Sequence, residues 1–283
     1  MKVFGYYHIT DLDGQFSAAV IRKKYPEADI YGFDYGDKDI PIVKDYDLVI
    51  MSDISLPLDQ LDELRRNNKK FLWIDHHAKT IREAEKSGKI FDGLRDSNNN
   101  NSACVLTWKQ LYPKSKVPII LELVEDVDLW KFEKINSEII YNAIDTQFKF
   151  SIDRFIGYLD NKNFMDDKDF LEESGNTIMS MINNQVDRAI KTTTTIFWNG
   201  YNTGIINTNL HKSKTGNDLL DRNPQVKIAM IWNVDKGNIS ISLRSKGDVD
   251  VAEIASKYGG GGHRPASGFH VKSLSRFIEI LKE

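Results

Sequence analysis

The chain has a single cysteine, Cys104, in 283 residues. No internal disulfide can form from one thiol, and a zinc-finger arrangement is excluded. A reducing compartment is the natural setting for such a chain. No run of about 18 apolar residues occurs, so no membrane span is expected. Residues 1–8 lack the long apolar core of a signal peptide, and a cytoplasmic location is expected. No block of like charges is present, which argues against a general binder of duplex DNA. Histidine is also scarce, with six in the chain.

What is present describes a globular protein: 41% of residues are hydrophobic and 28% charged. The length suits one large domain or two ordinary ones. The net charge of −3 hides an asymmetry. Residues 186–283 carry 14 Lys/Arg against 9 Asp/Glu, leaving 24 against 32 for residues 1–185. The first part suits cations, and the second suits an anion.

Short apolar runs alternate with helical patterns in the first half. Strands are expected over 3–7, 30–34, 47–51 and 71–74, and helices over 16–25 and 56–67. This alternation predicts an α/β fold, with a mostly parallel sheet and helices on both faces. A helix is expected over 102–111 after the tract Asn98-Asn99-Asn100-Asn101, which reads as a loop. Residues 166–192 read as a helical linker between a domain over 1–165 and a smaller mixed α/β domain over 193–283. In the second domain Asn199-Gly200 is a hairpin signal, and Asp235-Lys236-Gly237-Asn238 joins two further strands.

The apolar runs end in ligand-type side chains. His8, Asp11 and Asp13 follow the first, Asp53 the third, and Asp75-His76-His77 the fourth. Asp126 and Asp128 follow a further run over 121–124, which is read as another strand end. Ligands bind beyond the C-terminal ends of strands in open sheets of this kind. Polar groups leaving a buried strand need partners, and a metal ion is one. Carboxylates with imidazole suit Mn²⁺ or Mg²⁺ better than a thiolate-selecting metal. Two adjacent ions can clamp a phosphoryl group and activate a water. Later, Gly259-Gly260-Gly261-Gly262-His263 offers backbone amides to an anion, as in a nest. Arg244 adds a bidentate phosphate contact, and His263 a contact to phosphate or base. His211, Lys212 and Lys214 form a small basic patch.

The pattern resembles the DHH phosphoesterase family. His8-x-x-Asp11-x-Asp13-Gly14, Asp53, Asp75-His76-His77 and Asp126 look like its four ordered motifs. Gly259 to His263 with Ala266 and Gly268, preceded by Ser242-Leu243-Arg244-Ser245, is similar to the glycine-rich motif of its DHH-associated C-terminal domain. The first motif most resembles the nanoRNase and oligoribonuclease branch. The resemblance implies that His8, Asp11 and Asp53 hold one ion. It implies that Asp13, Asp53, His76 and Asp126 hold a second, with Asp126 preferred over Asp128. His77 would meet the scissile phosphate, and Asp75 would orient the neighbouring imidazole. Arg244, Ser245, Gly260, Gly261, Gly262 and His263 would bind substrate.

The resemblance implies a hydrolase using two Mn²⁺, with Mg²⁺ the alternative. It would cut short single-stranded RNA or DNA oligonucleotides, or small nucleotides, to 5′-mononucleotides. The competing readings are a phosphatase on 3′-phosphoadenosine 5′-phosphate, a dinucleotide phosphodiesterase, an inorganic pyrophosphatase and a RecJ-like exonuclease. A nucleotide-binding sensor without catalysis is the reading from another class. A homodimer stays open.

Overall fold

The structure is a computed structural model describing every residue except Lys236. The expected turn Asp235-Lys236-Gly237-Asn238 therefore has one position outside the described residues. The chain divides into two compact units, Met1–Ile178 and Met179–Glu283.

The first unit begins with β1 (Val3–His8), α1 (Leu12–Lys24), β2 (Asp29–Phe33), β3 (Leu48–Ser52), α2 (Leu58–Asn67), β4 (Phe71–Ile74) and α3 (Ala78–Ser87). Then come α4 (Ala103–Leu111), α5 (Ile119–Asp128), α6 (Ser137–Phe148), α7 (Ile152–Tyr158) and α8 (Asn161–Ile190), which runs across the division. The strands form a parallel sheet in the order β2-β1-β3-β4. The near-continuous apolar sequences of β1, β3 and β4 follow from burial on both faces, whereas edge strand β2 is half-buried and opens on the exposed Asp29. Val3, Leu48, Ile50, Leu72 and Ile74 face a core built with α1, α4, α5, α6 and α7. Phe4, Tyr6, Val49, Met51, Phe71 and Trp73 face a second core with α2 and α3. The chain leaves β1 for β2 on one side and returns to β3 on the other. The switch point between β1 and β3 thus lies at the rim that carries His8 and Asp53.

One expectation fails here. Residues 121–124 belong to helix α5, not to a strand. The fourth acidic cluster therefore approaches the rim from a helix end.

The second unit holds β5 (Thr194–Trp198), β6 (Tyr201–Asn207), α9 (Lys212–Arg222), β7 (Ile228–Asp235), β8 (Asn238–Ser245), α10 (Val251–Lys257), β9 (Gly261–His263), β10 (Ala266–Val271) and α11 (Leu274–Ile280). Its sheet is mixed, in the order β5-β6-β7-β8-β10-β9, with only β6 and β7 parallel. Asn199 and Gly200 both adopt positive φ, 50° and 85°, as a type I′ hairpin requires. The two faces pack against different helices, one against α10 and α11, the other against α9 and the end of α8.

Candidate metal centre

Asp11 caps α1, accepting from the Gly14 amide at 2.9 Å. Gly14 is required by space, because a Cβ there would lie 2.0 Å from the His8 carbonyl oxygen. The close approach sets Asp11 and Asp13 beside the end of β1. Asp13 is buried, and its oxygens accept from the Ala103 and Cys104 amides at the start of α4, each at 2.8 Å. Asp53 follows β3 in a left-handed conformation, φ +63°, with its amide bonded to the Ile74 carbonyl. A non-glycine residue there is strained by about 1–3 kcal/mol, a feature that concentrates at functional sites.

Among the described residues, three overlapping ligand groups result: His8 with Asp11 and Asp53, Asp13 with His76 and Asp128, and Asp53 with His76 and His77. His8 Nδ1 stands 2.6 Å from Asp11 Oδ2 and 3.6 Å from Asp53 Oδ2. His76 Nε2 stands 3.4 Å from Asp53 Oδ1, 3.6 Å from Asp128 Oδ2 and 3.7 Å from Asp13 Oδ2. Asp53 thus faces both histidines, one with each oxygen. His8 Nδ1, Asp53 Oδ2 and Asp128 Oδ2 are buried without an aligned hydrogen bond. Three orphaned atoms converging from separate elements are what a hard divalent cation would satisfy.

The electrostatics agree. Burial raises the Asp53 carboxyl well above the usual carboxylate range, and Asp11 and Asp13 raise it further. Burial, then Asp13, does the same to Asp128. Burial opposes the imidazolium of His8, but Asp11 and Asp53 outweigh it and hold its pKa up at about 11. For His76 burial is likewise overcome, by Asp53, Asp128 and Asp13, to about 11. Carboxyls and imidazoles crowded together here hold one another's protons, which a divalent cation would displace.

Each histidine is held from outside this cluster. Asp75 is fully buried and accepts from Trp73 Nε1, the His76 and His77 amides, and His77 Nδ1 at 2.8 Å. Burial alone would raise the Asp75 carboxyl, but the bonds from His77 keep it below the ordinary range. The His77 side chain stays 33% exposed. His8 Nε2 meets Asp34 Oδ1 at 3.0 Å and Thr10 Oγ1 at 2.7 Å. His76 Nδ1 meets Asn99 Oδ1 at 3.2 Å. Asn99, at φ +61°, is presented by a tract that folds around Asp96, which accepts from the Asn98, Asn100 and Asn101 amides. Tyr35 is half exposed, with ring centroids 5.8 Å from His8 and 6.0 Å from His77. Burial and the nearby Asp75 and Asp53 carboxylates push its hydroxyl pKa upward, so it remains a donor.

Asp126, expected among the ligands, does not join them. Its carboxylate accepts from the Glu133 and Lys134 amides and from Ser137 Oγ, and Asp128 stands beside His76 instead. In a strand these two aspartates would share a face. In α5 they are turned about 200° apart, so only one can reach the rim. Asp34, Tyr35, Asn99 and Asp128 are the residues the sequence reading missed or ranked second. Asp34 carried the same signal as the others, an acid immediately after an apolar strand.

In the second unit, Arg244, Ala266 and His263 lie in one row across β8, β10 and β9. Paired residues on adjacent antiparallel strands share a face, so Arg244 and His263 project to the same side, about 10 Å apart. Arg244 Nη2 donates to Ser213 Oγ at 2.7 Å, at the start of α9. Ser245 does not join them: it is buried on the opposite face and donates to the Val249 carbonyl. The glycine run also departs from a free nest. Gly261 and Gly262 belong to edge strand β9, and Gly260 abuts the Gly268 carbonyl, leaving no room for a Cβ. His211 points Nε2 at Gln185.

Comparisons with known proteins agree with this architecture. Residues 196–283 match the DHHA1 domain family. Oligoribonuclease NrnB of Bacillus subtilis is 26% identical over 221 residues, 74% of this chain and 55% of that protein. An uncharacterized protein of Acanthamoeba polyphaga mimivirus is 28% identical over 244 residues, 83% of this chain and 55% of that protein. The chain spans about half the length of these curated relatives. Among solved structures, the pGpG-specific phosphodiesterase PggH from Vibrio cholerae aligns with TM-score 0.58 and 14% identity over 100% of this chain and 97% of that one. RecJ from Thermus thermophilus in complex with Mn²⁺ aligns with TM-score 0.54 and 13% identity over 99% of this chain and 50% of that one. These alignments establish a shared fold. The resemblance to DHH-family phosphoesterases carrying a DHH-associated C-terminal domain is therefore borne out. Among the described residues, no helix is long and apolar enough to cross a membrane.

Proposed function

We propose that the protein is a phosphodiesterase that hydrolyses short single-stranded oligonucleotides to 5′-mononucleotides. The observation that carries this reading is the pair of ligand groups sharing Asp53, with three orphaned buried atoms between them. His8, Asp11 and Asp53 would hold one divalent ion, and Asp13, Asp53, His76 and Asp128 the other. Mn²⁺ is the favoured ion and Mg²⁺ the alternative. Such a pair, when bound, supplies a water ionised near neutral pH and a clamp for a phosphoryl group.

The chain's own groups do the rest. Asp75 fixes the ring of His77 through Nδ1, and Nε2, when it too carries a proton, would donate toward a phosphate oxygen as charge develops. Asp34 and Asn99 hold the other two imidazoles in the tautomers that leave His8 Nδ1 and His76 Nε2 for the ions. Tyr35, neutral at working pH, sets its ring edge to face with His77, with its hydroxyl bonded to Ser55. In the second unit, the row of Arg244 and His263 would receive the nucleotide's phosphate, beside the edge strand of Gly261 and Gly262, while the Gly260 amide is already given to the Ala255 carbonyl. The similarity to oligoribonuclease NrnB supports the choice of oligonucleotide.

The test incubates the protein with Mn²⁺ or Mg²⁺ and end-labelled RNA and DNA from dimers to 24-mers, with pGpG and 3′-phosphoadenosine 5′-phosphate alongside. Dimers to short oligomers should be converted to mononucleotides, and Asp53→Ala should abolish turnover. No hydrolysis of any phosphodiester sinks the proposal. Release of inorganic phosphate from 3′-phosphoadenosine 5′-phosphate alone would leave a phosphatase.

A further inference from the structure

Freed from the metal cluster, Asp126 frames the loop over residues 129–136. Its carbonyl accepts from the Lys131 amide at 2.8 Å and the Phe132 amide at 3.3 Å. Its carboxylate accepts from the Glu133 amide at 2.9 Å, the Lys134 amide at 3.0 Å and Ser137 Oγ at 2.5 Å. Inside this frame, Trp130 and Phe132 both adopt left-handed backbone, at φ +57° and +53°. Each costs about 1–3 kcal/mol and persists only where surrounding bonds enforce it. Burial does not offset that strain, since Trp130 is 45% and Phe132 38% exposed. The rings meet edge to face, centroids 4.8 Å apart and planes at 78°. A strained loop framed by Asp126 thus presents an open, L-shaped aromatic corner.

The corner is tied to the metal cluster by two routes. Trp130 lies two residues beyond Asp128, whose carboxylate is 3.6 Å from His76 Nε2. Lys131 Nζ donates to the Asn100 carbonyl at 3.1 Å, next to the Asn99 amide that holds His76 Nδ1. We propose that Trp130 and Phe132 form a stacking subsite for a nucleobase flanking the phosphodiester to be cut in a short single-stranded oligonucleotide. This rests on the hydrolase reading above and names the part of the substrate that the first unit grips.

The size of the corner selects its occupant. Two aromatics bury on the order of 150–250 Å² each, whereas a stable protein interface needs about 800 Å² per partner. A flat base lies on one ring with its edge against the other. The loop's lysines are already engaged, Lys131 by Glu125 and Lys134 by Glu122, so the grip is stacking rather than charge. Stacking of this kind accepts any base.

Two measurements test the subsite. Irradiating the wild-type protein with a dinucleotide containing 5-iodouridine should cross-link it to the peptide holding Trp130 and Phe132. Trp130→Ala and Phe132→Ala should each raise KM for diribonucleotides by about 5- to 150-fold with kcat little changed, and Trp130→Tyr should restore most of the loss. Cross-links confined to other peptides, or an unchanged KM in both alanine variants, overturn the proposal. A changed oligomeric state with unchanged KM gives the corner to a second copy and overturns it too. Cross-linking at the corner by a wild-type protein that hydrolyses no phosphodiester would support the subsite while removing the hydrolase reading.

Discussion

Asp126 and Asp128 are two residues apart in sequence and opposite in consequence. Asp128→Asn removes a buried carboxylate whose neighbour is Asp13, so in chelator the variant should be as stable as the parent or more so. Its divalent-ion affinity should fall at least tenfold. Asp126→Ala takes the acceptor from two amides and Ser137 Oγ, and should cost about 3 kcal/mol in urea unfolding. Reversed results, with Asp126→Ala stable and Asp128→Asn unfolded, would return Asp126 to the cluster. The histidines make a second prediction. Without metal, His8 and His76 hold protons up to about pH 11, against about 6.5 unfolded. Their imidazolium forms contribute stability that is complete below about 6.5 and lost as pH rises through about 11. A bound ion displaces those protons, so its apparent affinity should rise with pH. Calorimetric titration of Mn²⁺ at pH 7 in buffers of different ionisation enthalpy should report proton release. A binding heat independent of buffer would show that both imidazoles are already neutral.

At the level of elements, β1, β3 and β4 and their terminal ligands were legible because burial on both faces writes each of these strands as a near-continuous apolar run. His8, Asp53 and Asp75 could be placed on one rim from that pattern alone. What was not legible came from elements whose signal is weaker. Leu121 to Val124 reads equally as a buried strand or a buried helix, and only the helical period separates Asp126 from Asp128. The asparagine tract gave no sign that Asp96 would fold it and turn Asn99 toward His76, because that contact joins distant segments. Ser245 was misplaced for the reverse reason, since alternation along β8 sends it to the face opposite its neighbour Arg244. The junction of β1 and α1 carries the element-scale prediction. Gly14→Ala drives a Cβ to 2.0 Å from the His8 carbonyl, an atom that cannot move without shifting the strand. The variant should lose at least about 3 kcal/mol and bind divalent ions more weakly. An unchanged urea midpoint would mean that α1 can slide away from the strand without loss.

On the scale of the whole chain, charge and chemistry are divided. Residues 1–185 hold 32 acidic groups against 24 basic, and residues 186–283 hold 14 basic against 9 acidic. Asp11, Asp13, Asp53 and Asp128 meet at a candidate cation centre in the first unit, and the second unit aligns Arg244 with His263 on one sheet face. The two compact units should therefore answer to different ligands. Hydrogen exchange read by mass spectrometry separates them. Mn²⁺ at a hundred times its Kd stabilises the state that binds it by about 2.7 kcal/mol, and the slowing should fall on segments of Met1–Ile178, above all the ends of β1, β3 and β4 and the starts of α1 and α4. A 5′-mononucleotide added in chelator should instead slow exchange within Met179–Glu283, at the start of α9 and along β9 and β10. Mononucleotide protection confined to the first unit in the absence of metal would remove the second unit from substrate binding.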